Sequence, residues 1–152
     1  MTLSKRLETI KSMCPKGVVA DIGADHGKLI ISLVESGIAS RGFAIENKKG
    51  PYERLVAAIE EAGLIDKITP ILGDGIEPIT NEVNTIVLAG MGGLNIVQIL
   101  KKHPEKLINV DTIICDAHNA IPMMREEISK LGYSIADEKI VYEDDIYSEI
   151  IK

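Results

Sequence analysis

The stretch VVADIGADHGKL, residues 18–29, climbs through apolar residues to an aspartate and then breaks at a glycine. A continuous apolar run that ends in a Gly-containing loop and opens a helix is how many α/β domains present backbone N–H groups to a nucleotide-like ligand. The dinucleotide fingerprint asks for G-x-G-x-x-G, whereas this loop offers only Gly23 and Gly27, with Asp25 at the middle glycine's position. A carboxylate there opposes a pyrophosphate and better tolerates a cationic or zwitterionic group. Capping of the following helix is the competing use of Asp21 and Asp25.

Outward from this loop the chain alternates. Leu3, Leu7 and Ile10 keep helical spacing and Pro15-Lys16-Gly17 closes the segment, so the pattern predicts a short amphipathic helix over 2–13. Residues 17–22 read as a buried strand, Gly27 to Val34 as a helix and GFAIE (42–46) as a second strand. Pro51 starts a helix whose Leu55, Ala58, Ile59 and Ala62 form one stripe. ITPIL (68–72) is a third strand, which Pro70 assigns to a sheet edge. TIVLAG (85–90) is a fourth, followed by a helix from about Gly92, and TIICDA (112–117) a fifth, followed by a helix bearing Ile121, Met124, Ile128 and Leu131. Strands alternating with helices predict an α/β fold with a doubly wound, mainly parallel sheet, in one domain over 1–152 with its core in 17–152. At the end, SIADEKIVY (134–142) and IYSEIIK (146–152) leave no room for a helix between them, which predicts an antiparallel hairpin. A dehydrogenase domain would close with another parallel step instead.

At 152 residues and 45% hydrophobic the chain suits one core. No run has the length of a membrane span, and the charged N-terminal stretch lacks a signal-peptide core, so a cytoplasmic protein is expected. Cys14 and Cys115, far apart, read as reduced buried thiols. Only 3% of residues are aromatic and none is tryptophan, which argues against stacking platforms for single-stranded nucleic acid. The net charge of −6 is uneven: residues 1–54 carry +3 and the remainder −9, so the first third can face a polyanion. Cys115, Asp116 and His118 imitate a metal cluster, but alternate strand residues point to opposite faces and no second ligand pair accompanies them; no metal is expected. No nucleophile elbow or Cys–His arrangement suggests a hydrolase.

Three acids stand at the ends of the first three strands. Asp21 suits an ammonium, Glu46 can accept both hydroxyls of an adenosine ribose, and Asp74, between Gly73 and Gly75, can accept from an adenine amino group. Taken singly, a strand-end glutamate reads as a solvated charge and an Asp-Gly pair as a plain turn. After the fourth strand, Ala89-Gly90-Met91-Gly92-Gly93 permits close backbone approach, and reacting groups are expected to meet there.

Together, LSKRL (3–7), ADIGADH (20–26), KGPYE (49–53), LGDG (72–75), IVLAGMGG (86–93) and the final GY…YSEII resemble the bacterial tRNA (adenine-22-N1)-methyltransferase family over nearly the whole chain. The resemblance implies a Rossmann-like class I methyltransferase fold, S-adenosyl-L-methionine as cofactor, and methyl transfer to N1 of a tRNA adenine. It implies that Asp21 and Gly23 line the methionine end of the donor, Glu46 the ribose, Asp74 and Gly75 the adenine, and Gly90 to Gly92 the floor. Ala24, Asn47, Gly73, Ala89 and Met91 complete that set. Asp25 is expected to stabilise the charge developing on the adenine, with His26 orienting it. Arg6 beside Lys5 is the expected phosphate contact, and Lys28, Asp116 and His118 the other acceptor-side residues.

The chain departs from that family at Gly27-Lys28, where Ala-Tyr is usual, and at Asp116-Ala117-His118, where Gln-Pro-Asn borders the base pocket. Relatives also continue into a helical, coiled-coil-like tail that helps grip tRNA, so a weaker hold on tRNA is expected; separately, the protein is expected to be a monomer. Two alternatives stay open: a methyltransferase of the same fold acting on a small molecule or another RNA, and a non-catalytic donor-binding domain. A nicotinamide oxidoreductase is disfavoured by the missing central glycine and the terminal hairpin.

Overall fold

The computed structural model describes residues 2–152. Seven strands form one sheet: β1 (Gly17–Ile22), β2 (Ala39–Glu46), β3 (Ile68–Leu72), β4 (Thr85–Met91), β5 (Thr112–Ala117), β6 (Glu138–Glu143) and β7 (Ile146–Ile151). Their order is β3-β2-β1-β4-β5-β7-β6, with β1 to β5 parallel and the last two antiparallel. The parallel strands are apolar because both faces are covered. Val19, Val87 and Ile114 face a core shared with α1 (Lys5–Met13), α2 (Lys28–Glu35) and α3 (Lys49–Glu61). Ala20, Ile22, Leu88 and Cys115 face the opposite core, under α4 (Gly93–Lys102) and α5 (Ile121–Lys130). Chain order reverses between β1 and β4, which opens a crevice at the strands' carboxyl ends.

The doubly wound sheet with its terminal hairpin agrees with the sequence pattern, and β3, carrying Pro70, lies at the edge. Differences fall at element ends. The first helix begins at Lys5 rather than residue 2, because the Ser4 hydroxyl accepts the Leu7 N–H at 3.2 Å and caps it. Strand β6 begins at Glu138 rather than 134, since Ala136 and Asp137 pair with the backbone of Lys152 instead. Strand β2 starts earlier, at Ala39, and a 3-10 turn at Pro104–Leu107 was not foreseen. Asp144 and Asp145, with φ of 54° and 61°, make the two-residue turn between β6 and β7.

Helix α1 is held from both sides. Ile10 and Met13 are buried beneath the sheet, each contributing about 1.5–3 kcal/mol. At its other end the Glu143 carboxylate, from the end of β6, accepts the Lys5 N–H at 3.0 Å and the Arg6 N–H at 3.4 Å. The hairpin thus anchors the helix that overhangs the crevice.

Gly27, which precedes α2, has φ of +73°. A Cβ there would stand 2.9 Å from Leu55 Cδ1 on α3. Gly27→Ala is therefore expected to lower stability by about 1–2 kcal/mol, read as a depressed Tm; an unchanged Tm would count against this packing.

Candidate active site

A cavity of ≈ 640 Å³ lies at the carboxyl ends of β1, β2 and β4, roofed by α1. Its lining includes Ser4, Arg6 and Leu7 from the start of α1, Asp21 and Gly23 to His26, Lys28, Glu46, Ala89, Gly90 and His118. A smaller cavity of ≈ 150 Å³ shares Gly23 and is lined by Ile45, Asn47, Gly73, Asp74, Gly75 and Met91, with Asn95 and Ile99 from α4. Residues assigned from separate strand ends therefore converge on two hollows that meet at Gly23. A further hollow of ≈ 350 Å³, walled by Met124, Tyr133 and Ile151 beneath α5, contains none of them.

The register explains the convergence. Asp21 pairs with Val87 and Asp116 with Ala89, so Asp21, Ala89 and Asp116 rise on the α1 side of three adjacent strands. The β4–β5 ladder shifts between Ala89 and Met91 and leaves Gly90 bulged, with φ of +73° and nothing within 4 Å of where its Cβ would be. That bulge opens the cavity wall.

Asp21 is only 4% exposed; its carboxyl opens onto the cavity and receives no hydrogen bond among the described residues. Burial pushes it up to about 7, the nearby Glu46 adds to the rise, and Arg6 opposes it. A buried carboxyl left without a partner is a site for a cation. Glu46, also buried, accepts the Asp25 N–H at 2.6 Å through Oε1. Asp25 reaches it by adopting φ of 54°, a conformation Asp tolerates better than most residues. The turn sends the Asp25 side chain outward, 77% exposed, with His26 Nε2 3.6 Å from its Oδ1.

Arg6, expected to meet a phosphate, donates from Nη1 to Asp116 Oδ2 at 2.7 Å at the cavity wall. Asp116 is buried and acts on the cavity through Arg6. Lys5 lines neither hollow; its backbone serves the α1 cap. Gly92 also stays outside, as the cap of α4 packed on Asn119. Asp74 is exposed at the rim of the smaller cavity, 3.5 Å from Lys102 Nζ.

Sequence reasoning passed over Asn119, whose side chain and backbone oxygens both accept the Gly93 N–H at 3.2 Å and tie the loop after β5 to the start of α4. An asparagine just before a helix is the signal that was available. Asn95 and Ile99 were also passed over, although their i, i+4 spacing behind the glycine loop puts them on one face. Cys14 and Cys115 are free thiols packed on opposite faces of the sheet. Among the described residues no group of three His, Cys, Asp or Glu converges on a common point, and no helix is long and apolar enough to cross a membrane.

The model of a family described as "Methyltransferase domain" matches residues 3–151. A Bacillus subtilis protein named tRNA (adenine(22)-N(1))-methyltransferase is 36% identical over 99% of the chain, which spans 64% of that protein's length. A Streptococcus pneumoniae protein crystallised in complex with S-adenosyl-L-methionine superposes with a TM-score of 0.96 at 35% identity, over 99% of this chain and 72% of that one. The M. capricolum TrmK, in complex with S-adenosyl-homocysteine, superposes with a TM-score of 0.88 at 28% identity, over 99% and 68%.

The Asp21 environment has a measurable consequence. Its folded pKa stands above the ordinary 3.8, so the folded protein holds this proton more tightly, and that contribution to stability is lost as pH rises towards about 7. In the ligand-free protein, the Tm of Asp21→Asn is expected to exceed that of the wild type at pH 8, by an amount that shrinks towards pH 5. A difference that stays constant across that range would contradict the burial of an unpaired Asp21.

Proposed function

We propose that this chain, which belongs to the methyltransferase domain family and within it to the tRNA (adenine-22-N1)-methyltransferases, transfers a methyl group from S-adenosyl-L-methionine to N1 of an adenine in tRNA. The observation that carries the reading is the Asp21 carboxyl, without a hydrogen-bonding partner among the described residues, inside a cavity lined also by Asp25 and Glu46. A ligand with an ammonium and a sulfonium, and no phosphate, suits that charge pattern.

The residues present fit this donor. Asp21 takes its ammonium. The remaining oxygen of Glu46 would accept from the ribose hydroxyls, and the apolar walls of the smaller cavity, Ile45, Met91 and Ile99, would hold the adenine with Asp74 at the rim. When bound, the donor supplies an electrophilic methyl carbon that the N1 lone pair attacks as the carbon–sulfur bond breaks and its electrons return to sulfur. The chain's own work is positioning: the Gly90 bulge leaves the two reactants room to approach within about 3–3.5 Å. N1 methylation makes the ring cationic and its exocyclic amine more acidic. Asp25, exposed at the mouth, stabilises that charge and accepts the amine proton, and His26 beside it orients the carboxylate. Lys28 and His118 line the same mouth and meet the acceptor. With tRNA as acceptor the protein works in the cytoplasm, as a monomer and without a metal.

A second reading keeps the fold and donor and changes the acceptor. It is favoured by one observation: Asp116, where the family pattern has Gln, is committed to Arg6.

Incubation with unmodified tRNA and methyl-labelled donor is expected to place the label in 1-methyladenosine. Label in another nucleoside, or in a small molecule only, selects the second reading, and no transfer to any acceptor contradicts both. Asp25→Asn is expected to lower turnover about 10²-fold while leaving S-adenosylhomocysteine affinity unchanged. Unchanged turnover would remove Asp25 from the chemistry.

A further inference from the structure

The terminal hairpin reaches past the rest of the sheet. Strand β7 pairs with β5 only at Cys115↔Ile151 and Asp116↔Ile150, whereas it pairs with β6 along its whole length, from Glu138↔Ile151 to Glu143↔Ile146. Its antiparallel course therefore carries Ile146, Tyr147 and Ser148 beyond Ala117, where β5 ends, at the edge of the sheet on which the cavity opens. A two-stranded arm stands there beside the mouth. It is braced from the other side by the Glu143 carboxylate, which accepts the Lys5 and Arg6 N–H groups of α1.

The arm bears apolar groups that the fold leaves uncovered. Ile140, Tyr142, Ile146 and Tyr147 are all exposed, Tyr147 to 74%. Tyr142 and Tyr147 pair across the hairpin with ring centroids 4.7 Å apart, and the Tyr142 hydroxyl donates to Asp145 Oδ1 at 2.8 Å. Two of the chain's four tyrosines thus form one ordered pair at the surface. Between the arm, the end of β5 and the start of α5 lies a hollow of ≈ 440 Å³, whose lining includes His118, Ile121, Ile140 and Tyr147.

His118 lines both this hollow and the cavity that holds Asp21 and Asp25, so the two form one trough with His118 as its dividing ridge. The ridge is fixed, because the His118 N–H donates to Met91 O at 2.9 Å beside the Gly90 bulge. Charge decides what the arm can take. From Glu138 to Ile151 it carries five acids and one base, Lys139, which does not attract a phosphate. Most of those acids are already engaged: Arg125 binds Glu138 and Glu149, Glu143 caps α1, and Asp145 accepts from Tyr142. Only Asp144, at the tip, has no such partner among the described residues. The surface left beside the ridge is flat, aromatic and uncharged, which suits the face of a nucleobase.

Resting on the reading of an RNA acceptor, we propose that the arm binds the nucleobase next to the target adenine, stacked on Tyr147, while the target itself enters the cavity on the other side of His118. The two bases are then held apart by the ridge. Stacking on Tyr147 offsets the unstacking that must accompany entry of the target into the cavity. One such step needs a single pair of tyrosines and not an aromatic-rich platform.

The test pairs a protein change with an RNA change. Tyr147→Leu, which keeps apolar bulk and removes the ring, is expected to lower kcat/KM for unmodified tRNA about 5- to 100-fold, chiefly through KM. Tyr147→Phe is expected to stay within about threefold of the wild type, since the ring is what binds. Unchanged Tm and S-adenosylhomocysteine affinity show that both variants are folded. Abasic sites are then placed in turn on the 5′ and 3′ sides of the target adenine. One of the two should lower kcat/KM for the wild type and leave wild type and Tyr147→Leu equal. Abasic penalties as large in Tyr147→Leu as in the wild type overturn the inference. Equal kcat/KM for the wild type and Tyr147→Leu on intact tRNA also overturns it, and leaves the arm to a basic, apolar protein partner. Failure of the wild type to methylate any RNA overturns the acceptor reading itself, an outcome distinct from insensitivity to Tyr147.

Discussion

Asp21 is buried at the end of the central strand β1 with no hydrogen-bonding partner among the described residues, and much of the surrounding structure follows from that. An ionised carboxylate in such a place is disfavoured, so its pKa rises to about 7 and its proton becomes exchangeable near neutrality. Glu46 adds repulsion, Arg6 relieves it, and the Arg6 guanidinium is itself bound to Asp116. The result is a carboxyl half-compensated by the fold, whose remaining demand a bound ammonium can meet.

The fold supplies that arrangement through register and through one overhanging helix. The parallel pairing of β1, β4 and β5 sets Asp21, Ala89 and Asp116 on one face, and the bulge at Gly90 clears space beside them. Helix α1 carries Arg6 across the opening because its apolar side is buried under the sheet and its first turn is capped by Ser4 and Glu143. Glu143 belongs to the terminal hairpin, so the antiparallel ending of the sheet contributes directly to the geometry of the crevice. The hairpin therefore matters to the shape of the crevice as well as to fold class.

The alternation of buried strands and amphipathic helices, the edge position of β3 and the final hairpin were all legible in the sequence, because hydrophobic period and turn chemistry are local properties. So were the acids at successive strand ends, since in a parallel sheet carboxyl ends share one edge. What was not legible depends on distance or on backbone sign. Arg6 and Asp116 are 110 residues apart, and no local pattern shows that the guanidinium turns inward to a carboxylate instead of outward to phosphate. The left-handed backbone at Asp25, which sends its N–H to Glu46 and its side chain to solvent, is equally invisible to composition. Gly27 gains its reason from its left-handed backbone and from Leu55, on a helix the sequence could not place against it.

The central claim is that a ligand's ammonium completes the unpaired Asp21. Proton linkage during binding tests it most directly. Calorimetric titration of S-adenosylhomocysteine, repeated in buffers of differing ionisation enthalpy, counts the protons exchanged. With the carboxyl at about 7 in the free protein, binding at pH 6 should release close to one proton per ligand, and that release should fall away as pH is raised through about 7 to 8. Heats independent of buffer at pH 6, or proton uptake there, would contradict the claim.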